Sequence, residues 1–264
     1  MMKLRIGRFS YSNLFPLFFM LDSEADCSSY EFIEGVPSEL NRKIRQGEID
    51  VSPSSSIEYL RNQELYDLIP NHSISSRGPV GSIFLFSKRP IETLDGLTVL
   101  TTSQSETSVV LLHIILTKFY NIFCHLMPTS EPIASALRSH EAYLLIGDDA
   151  LTEALKWPGL HIYDLGDLWY KNTGLPSVFA LWIARRQCCM DRPGLLERFR
   201  EDLDRAKDRA LRDLPAVAAV SPLRHVLTQE ELVAYWKGIS FDFGQEHRQG
   251  LDLFSRYARQ LGLM

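Results

Sequence analysis

Hydroxyl, amide and carboxylate side chains are concentrated in four short segments of this 264-residue chain. The segments are residues 10–13, 52–56, 101–108 and 147–149. They contain Ser, Thr, Asn and Asp but no His or Lys, two side chains that commonly transfer protons at neutral pH. Ser, Thr and Asn form hydrogen bonds to a ligand without adding charge. The composition therefore favours the binding and orientation of a polar ligand, with Glu106 and Asp148 as the acidic side chains to consider for proton transfer.

The third segment shows why an anion suits this pattern. Ser103 and Glu106 have the spacing of a capping box, which predicts the start of a helix that continues through the apolar run 109–120. A helix N-terminus offers unpaired N–H groups and the positive end of the helix dipole, which attract a carboxylate. The hydroxyls beside this N-terminus belong to Ser105, Thr107 and Ser108. A capped core helix has the same residues, and only the recurrence of the unit favours a ligand site.

Strands and helices must position the four segments. Apolar runs and turn residues predict strands at 4–9, 30–33, 49–51, 66–69, 83–86, 98–101, 123–126, 142–146, 161–163 and 178–184. They predict helices at 14–21, 38–46, 57–61, 107–120, 133–139, 150–156, 194–212, 216–220, 228–236 and 244–260. Ligands of open α/β sheets bind at the carboxyl ends of the strands, so we expect the four segments to line one polar cleft.

The order of these elements predicts a two-lobed α/β protein. Lobe 1 is expected to comprise 1–87 plus 186–264, and lobe 2 to comprise 88–185, with the apolar strands 83–86 and 178–184 as crossovers. Such proteins close about a hinge when a ligand binds. Binding proteins and enzymes share this architecture, so the fold alone does not decide the function.

Charge and hydropathy exclude two classes of partner. The net charge of −5 argues against nucleic acid, and the most basic region, 198–212, alternates with acidic residues as a solvated helix face does. No apolar run reaches the roughly 18 residues of a membrane span. The run 14–21 is broken by Pro16, and no small-residue cleavage site follows it. We therefore expect a cytoplasmic protein with no nucleic-acid or membrane partner.

Cysteine and histidine spacing indicates neither a metal nor a cofactor. The four cysteines form no C-x-x-C pair, and the seven histidines form no H-x-x-x-H pair. No glycine-rich dinucleotide turn is present. Free thiols suit a reducing compartment. The sequence predicts no metal site and no cofactor, and it leaves the oligomeric state open between monomer and homodimer.

Nine stretches of the chain together resemble the MqnA family, the chorismate dehydratases of the futalosine route to menaquinone. They are IGRFSYSNLFPL (6–17), EGVPSELN (34–41), GEIDV (47–51), SSIEY (55–59), SSRGPVGS (75–82), TSV (107–109), LIGDDAL (145–151), YDLG (163–166) and TGLPSVFALW (173–182). The resemblance implies a type II periplasmic-binding-protein-like fold used as a lyase. Its substrate would be the dicarboxylate chorismate, its product 3-[(1-carboxyvinyl)oxy]benzoate, and it would need no cofactor or metal.

The resemblance also implies the site residues. The expected catalytic residues are Asn13 and Ser82. The expected substrate-binding residues are Ser12, Ser55, Ser56, Gly81, Ser105, Thr107, Ser108 and Asp148. The chain departs from the usual family pattern at Ser12, Ser52, Pro53, Ser54 and Glu106. The nearest cations for the dianionic substrate are Arg8 and Arg77.

The chemistry of a dehydration fits these residues. A ring proton activated by the vinylogous carboxylate leaves, and the neighbouring hydroxyl is then expelled as the ring becomes aromatic. The segments offer no clear base apart from Glu106, which is expected to cap a helix, and Asp148. We therefore infer that a carboxylate of the substrate takes the proton. The protein would orient the substrate and stabilise developing charge.

Purely structural roles remain open for three of these residues. Asn13 suits the N-cap of the helix that begins near Leu14, Ser82 suits a turn, and Asp148 suits a cap for the helix from Ala150.

Two other functions also remain open. A sister lyase on the same fold forms 1,4-dihydroxy-6-naphthoate and uses a cleft histidine, for which His72 is the nearest candidate. A non-catalytic protein that binds a small anion is the second alternative.

Overall fold

The computed structural model describes residues 3–9 and 11–264, so Ser10 of the first polar segment lies outside the described residues. In this part of the chain the strands are β1 (Leu4–Phe9), β2 (Tyr30–Gly35), β3 (Val51–Ser55), β4 (Tyr66–Ser76), β5 (Ile83–Ser87), β6 (Thr98–Thr102), β7 (His125–Thr129), β8 (Ala142–Ile146), β9 (His161–Asp164) and β10 (Ser177–Arg185). Each overlaps a predicted strand, but β3 shares only Val51 with the predicted strand 49–51 and continues to Ser55. Strand β4 extends seven residues beyond its predicted end at residue 69.

The helices follow the predicted order with two additions. They are α1 (Phe15–Glu24), α2 (Pro37–Gln46), α3 (Ser56–Arg61), α4 (Glu106–Ile114), α5 (Ile133–Ser139), α6 (Gly147–Ala154), α7 (Leu165–Thr173), α8 (Arg186–Asp191), α9 (Pro193–Arg212), α10 (Leu214–Ala219), α11 (Gln229–Gly238) and α12 (Gln245–Gln260). A π-helical turn, Ile115–Phe119, continues α4. The sequence patterns did not indicate α7 or α8. Over the described residues, no helix is both long and apolar enough to cross a bilayer.

The chain divides into two units. Unit 1 consists of Met1–Ile74 and Ala180–Phe243, and unit 2 of Ser75–Phe179 and Gly244–Met264. The predicted lobe boundaries differ from this division in three ways. Residues 180–185 of β10 belong to unit 1, although they were predicted in lobe 2. The strand β5 belongs to unit 2, because it pairs with β8 on one side and β9 on the other. The helix α12 also belongs to unit 2, where it packs on α4.

Unit 1 is built on a mixed five-stranded sheet with the order β2-β1-β3-β10-β4. Strand β1 is parallel to β2 and β3, and β10 is antiparallel to β3. An aromatic cluster joins the sheet to its helices, since the Trp182 ring lies 5.8 Å from Phe18 of α1 and 5.7 Å from Phe199 of α9. Because β1 and β3 are parallel, their carboxyl ends meet at one edge of this sheet.

Unit 2 contains a second mixed sheet with the order β7-β6-β8-β5-β9. Strand β6 is parallel to β7 and β8, and β5 runs antiparallel to β8 and β9. All five residues of β8 are buried, as expected for a central strand covered on both faces. The carboxyl ends of β6 and β8 and the amino end of β5 therefore lie at the same edge of this sheet.

A buried ion pair fixes the sheet of unit 1 to the start of α9. Asp50, just before β3, accepts hydrogen bonds from Arg5 at 2.7 and 3.1 Å and from Arg192 at 2.6 Å. Burial alone would raise the pKa of Asp50, but the two guanidinium groups outweigh burial and hold the pKa below its ordinary value. The carboxylate thus stays charged and joins three separate elements.

Candidate functional site

The predicted site residues are divided between the two units. Those of unit 1 are Ser12, Asn13, Ser55 and Ser56. Those of unit 2 are Gly81, Ser82, Ser105, Thr107, Ser108 and Asp148. Within each unit they lie at the sheet edge where the carboxyl ends of parallel strands meet.

Asn13 lies in the turn between β1 and α1 and carries a buried oxygen with unmet hydrogen-bonding capacity. Its Oδ1 is buried and accepts no hydrogen bond from any described residue. The N-cap of α1 is Leu14, and no side chain caps this helix. The interpretation of Asn13 as an N-cap is therefore wrong, because the helix begins one residue too late for it. A buried carbonyl without a donor costs about 1–3 kcal/mol, so its presence here favours a role toward a ligand.

The backbone of the same turn is anchored by α11. The indole Nε1 of Trp236 donates to the carbonyl oxygen of Ser12 at 2.8 Å, and Phe15 N donates to the same oxygen at 3.2 Å. The Trp236 ring also stacks on Phe15, with centroids 6.2 Å apart. These contacts fix the turn that presents Asn13.

Segment 52–56 is not a turn, contrary to the prediction. Residues 52–55 continue β3 and pair with β10, and Ser56 begins α3. Because residues 52–55 pair with β10 on one side, the strand continues through Pro53. Ser52 donates its hydroxyl to the carbonyl oxygen of Pro53 at 2.8 Å, and the buried Oγ of Ser54 has no partner among the described residues.

Ser55 is held by two hydrogen bonds to one side chain of α2. Ser55 N donates to Asn41 Oδ1 at 3.1 Å, and Asn41 Nδ2 donates to Ser55 Oγ at 2.5 Å. Both side chains are buried. Because the Ser55 oxygen accepts from Asn41, its own hydrogen remains to be donated to another acceptor.

A buried carboxylate supports this corner of unit 1 and was not identified from the sequence. Glu58 of α3 accepts hydrogen bonds from Arg45 at 3.1 and 2.5 Å, from Asn62 at 3.0 Å and from the Tyr66 hydroxyl at 2.7 Å. Burial, with the hydrogen bond to Glu58, raises the pKa of Tyr66 above its ordinary value, so the phenol remains a donor. The network fixes the first turn of α3.

In unit 2 the cap of α4 is Ser105, not Ser103. Ser105 Oγ accepts from Ser108 N at 3.3 Å and donates to Ser108 Oγ at 2.9 Å. Ser103 is exposed and precedes the helix by three residues, because Thr102 Oγ1 accepts from Gln104 N at 3.1 Å and closes a turn there. The capping-box prediction therefore named the wrong serine.

The structure brings the Ser82 loop and the start of α6 together. Gly147 N donates to the carbonyl oxygen of Ser82 at 2.8 Å, and Asp148 follows in the first turn of α6. Gly81 and Gly147 have φ values of +76° and +63°, a conformation that glycine adopts without steric cost. Asp148 does not occupy the N-cap of α6, which is Ile146.

The two cations expected near the substrate are already paired within their own units. Arg8 forms two hydrogen bonds to Asp22, at 3.2 and 2.7 Å, and lies 5.0 Å over the Phe18 ring. Arg77 is paired with Glu246. The neutral hydroxyls, amides and backbone N–H groups at the sheet edges are therefore the main groups for binding a polar ligand.

His72, the histidine considered for the sister lyase, is buried in unit 1. Its side chain is 1% exposed, and its Nε2 lies 2.7 Å from Asp204 Oδ1 of α9. Burial, followed by the charge of Lys207, lowers the pKa of His72. Because His72 is enclosed and already bonded to Asp204, it is not placed to act as a base toward substrate. Among residues 3–9 and 11–264, no three His, Cys, Asp or Glu side chains are grouped to hold a metal ion.

Solved structures share the fold of this chain. Protein AF1704 from Archaeoglobus fulgidus superposes with a TM-score of 0.80 at 19% identity, covering 99% of this chain and 98% of that one. The periplasmic aliphatic sulphonate binding protein SsuA from Escherichia coli superposes with a TM-score of 0.69 at 15% identity, covering 100% and 94%. These similarities confirm the predicted periplasmic-binding-protein-like fold.

Sequence relatives have a more specific description. The chorismate dehydratase of Thermus thermophilus is 33% identical over 200 residues, covering 69% of this chain and 70% of that protein. The chorismate dehydratase of Campylobacter jejuni subsp. jejuni is 27% identical over 206 residues, covering 76% and 74%. The family whose sequence model is described as menaquinone biosynthesis matches residues 4–260. This chain belongs to the menaquinone biosynthesis family.

Proposed function

We propose that this chain is a chorismate dehydratase that converts chorismate to 3-[(1-carboxyvinyl)oxy]benzoate for menaquinone biosynthesis. The observation that carries the proposal is the 33% identity to the Thermus thermophilus chorismate dehydratase across 69% of the chain. Relatives of this kind account for the enzyme activity better than the fold does, because binding proteins share the fold. The buried position of His72 further disfavours the histidine-dependent sister lyase.

The reaction removes one water from the substrate ring. The C–H bond at the ether-bearing carbon breaks, and its electron pair delocalises toward the ring carboxylate. The neighbouring C–O bond then breaks, and the departing hydroxide combines with the abstracted proton as water. We assign the first proton transfer to a carboxylate of the substrate. The Ser, Thr and Asn of the predicted site are not bases at neutral pH, and Asp148 is the one carboxylate among the assigned residues.

We assign the two catalytic roles to Asn13 and Ser82. The unpaired Oδ1 of Asn13 accepts a hydrogen bond from the ring hydroxyl of chorismate and so orients the leaving group. Ser82 donates its hydroxyl to the substrate as negative charge develops on the ring carboxylate. Both roles follow from orientation and charge stabilisation, which are the contributions that fixed neutral dipoles make best.

The remaining site residues would bind the substrate. Ser55 donates its hydrogen to a substrate oxygen, because its oxygen already accepts from Asn41. The other residues that we assign to substrate binding are Ser12, Ser56, Gly81, Ser105, Thr107, Ser108 and Asp148. We place the reaction in the cytoplasm, since the four cysteines are free thiols, which suit a reducing compartment.

The test is direct turnover of chorismate by the purified protein. Chorismate is added, and the product is followed by aromatic absorbance and identified by its mass, which is lower by one water. We expect stoichiometric conversion that Ser82→Ala slows strongly, while Ser23→Ala, a change on the exposed face of α1, leaves the rate unchanged. Binding of chorismate without any conversion would overturn the proposal and favour a small-anion-binding protein.

A further inference from the structure

One carboxylate of unit 2 accepts four backbone N–H groups. Asp164 ends β9 and is the N-cap of α7, and its Oδ1 accepts from Gly166 N at 2.8 Å and Asp167 N at 3.1 Å. These two bonds are those of an ordinary cap. The other two come from a distant loop, with Val80 N donating to Oδ1 at 3.1 Å and Gly81 N donating to Oδ2 at 2.7 Å. Asp164 therefore does more than begin a helix.

The two distant donors immediately precede Ser82. Gly81 has φ +76°, so the chain turns sharply at this point and its direction depends on what holds the adjacent N–H groups. Beyond the turn, the Ser82 carbonyl oxygen accepts from Gly147 N at 2.8 Å. The backbone is thus fixed on both sides of Ser82, by Asp164 before it and by Gly147 after it.

Close packing leaves this arrangement little freedom. A Cβ on Gly166 would lie 2.7 Å from the carbonyl oxygen of Gly78 and 2.7 Å from Ser76 Oγ. Ser76 Oγ in turn donates to the Gly78 carbonyl oxygen at 2.9 Å. The first turn of α7 therefore lies directly against the loop that leads to Ser82, at a distance that only glycine permits.

Burial and hydrogen bonding act in opposite directions on the pKa of Asp164. Burial raises the pKa of Asp164, and the four N–H groups offset this only in part, so the pKa lies above its ordinary value. Hydrogen bonds to an ionised carboxylate are stronger than those between neutral groups, particularly when partly buried. When Asp164 is ionised, the loop is held by bonds of this stronger class.

We infer that Asp164 is a positioning residue for the dehydration, because it sets the direction in which Ser82 presents its hydroxyl to the substrate. The inference rests on the proposed function, which takes Ser82 as a contact of chorismate. Asp164 acts through Ser82 and does not itself touch the substrate. Since a displacement of about 1 Å at a reacting centre can cost about 10²-fold in rate, the loss of this support has a measurable effect.

The Asp164→Ser variant separates the two roles of this side chain. Serine is a good N-cap, so the start of α7 is preserved, but its side chain is too short to reach Val80 and Gly81. We expect kcat for chorismate to fall about 10- to 100-fold with a much smaller change in KM. Amide hydrogen exchange at Val80 and Gly81 should accelerate in the same variant.

A double-mutant cycle tests whether Asp164 acts through Ser82. In the Ser82→Ala background, Asp164→Ser should lower kcat by less than about threefold, because the hydroxyl that it positions is already gone. A purely structural role predicts that the two losses multiply. Multiplied losses would overturn the inference.

A matched control shows what loss of an aspartate cap alone does. Asp213 caps α10 in unit 1 by accepting from Ala216 N at 3.1 Å, and no distant loop is held by this bond. Asp213→Ser should change the melting temperature by a similar small amount and leave kcat unchanged.

If Asp164→Ser unfolds the protein, Asp164→Asn provides the second measurement. It keeps the Oδ1 acceptor and places an N–H donor against Gly81, so kcat should again fall.

The outcomes separate this inference from the proposed function. If the wild-type protein does not convert chorismate, the proposed function fails, and the hydrogen-exchange measurement still tests whether Asp164 holds the loop. If the wild-type protein converts chorismate and Asp164→Ser does so equally fast, the positioning role is wrong and the proposed function stands.

Discussion

Trp236 donates its indole N–H to the carbonyl oxygen of Ser12 at 2.8 Å, and this bond ties α11 to the turn that presents Asn13. The two residues are separated by 224 positions in the chain, and both are buried. The bond links a residue of the C-terminal half to the proposed catalytic residue through a single backbone oxygen. We therefore expect that a substitution of Trp236, which is not among the proposed site residues, lowers kcat.

Replacing Trp236 by Phe keeps an aromatic ring on Phe15 but removes the N–H donor. We expect a loss of about 1–3 kcal/mol in the free energy of unfolding and a decrease in kcat, because the Asn13 turn loses one of its anchors. Urea denaturation and steady-state kinetics measure the two effects. Trp182→Phe is the matched control, since the buried Nε1 of Trp182 has no partner among the described residues, and this change should leave kcat unchanged. Equal kinetic effects of both variants would contradict the prediction.

The hydrogen bonds between Asn41 and Ser55 predict that one substitution mainly lowers stability and another mainly raises KM. Asn41→Ala leaves the buried Ser55 N–H without an acceptor and should cost about 1–3 kcal/mol of stability. Asn41→Asp retains an acceptor, so it should be more stable than the alanine variant. Its negative charge beside Ser55 should nevertheless raise KM for the dianionic substrate at least about tenfold. Thermal unfolding and initial rates distinguish these effects.

The charge control for Asn41→Asp is Asn172→Asp, which adds the same charge on the exposed side of α7. We expect its KM to equal that of the wild-type protein. A normal KM in Asn41→Asp would show that Ser55 does not lie near the substrate carboxylates.

His72 predicts a loss of stability in mild acid. Its Nε2 faces Asp204, its Nδ1 is buried without a partner in the described residues, and Lys207 and Asp242 are the other charged groups of this network. Burial and the Lys207 charge outweigh Asp204 and lower the pKa below the ordinary 6.5. As the pH falls below the ordinary value of 6.5, the unfolded chain binds a proton that the folded chain does not, so the free energy of unfolding decreases.

The measurement is the melting temperature between about pH 7 and about pH 5. The melting temperature of the wild-type protein should fall more steeply with decreasing pH than that of His72→Gln. The corresponding difference in the free energy of unfolding is at most about 1.4 kcal/mol per pH unit. His125→Gln, at an exposed position of β7, should keep the wild-type slope. Identical slopes in all three proteins would contradict the account of His72.

Much of the fold follows from the sequence because apolar runs determine which strands are buried. The strands β1 and β8 were predicted with their observed bounds, since both carry buried apolar residues and are followed by polar residues. The helix α7 was missed, because Gly166 in its first turn weakens the helical pattern. The preceding Asp164 was the available signal, as a residue type that commonly occupies an N-cap.

The parts of the site that escaped prediction depend on tertiary partners. Nothing local shows that Arg8 is paired with Asp22, or that Ser52–Ser55 form a strand, because the pairing partner β10 lies more than 120 residues further along the chain. The orphaned Oδ1 of Asn13 is likewise invisible in the sequence, where asparagine before an apolar helix indicates a cap. Only the observed N-cap at Leu14 separates the two roles.

The Asn13→Leu variant tests whether Asn13 serves the substrate or the fold. Leucine has a similar size and removes the buried unpaired oxygen, so the melting temperature should stay equal or rise. In the same preparation, kcat/KM for chorismate should fall about 10²–10³-fold, the usual loss of one oriented polar group at a reacting centre. A destabilised variant that converts chorismate at nearly the wild-type rate would contradict the account.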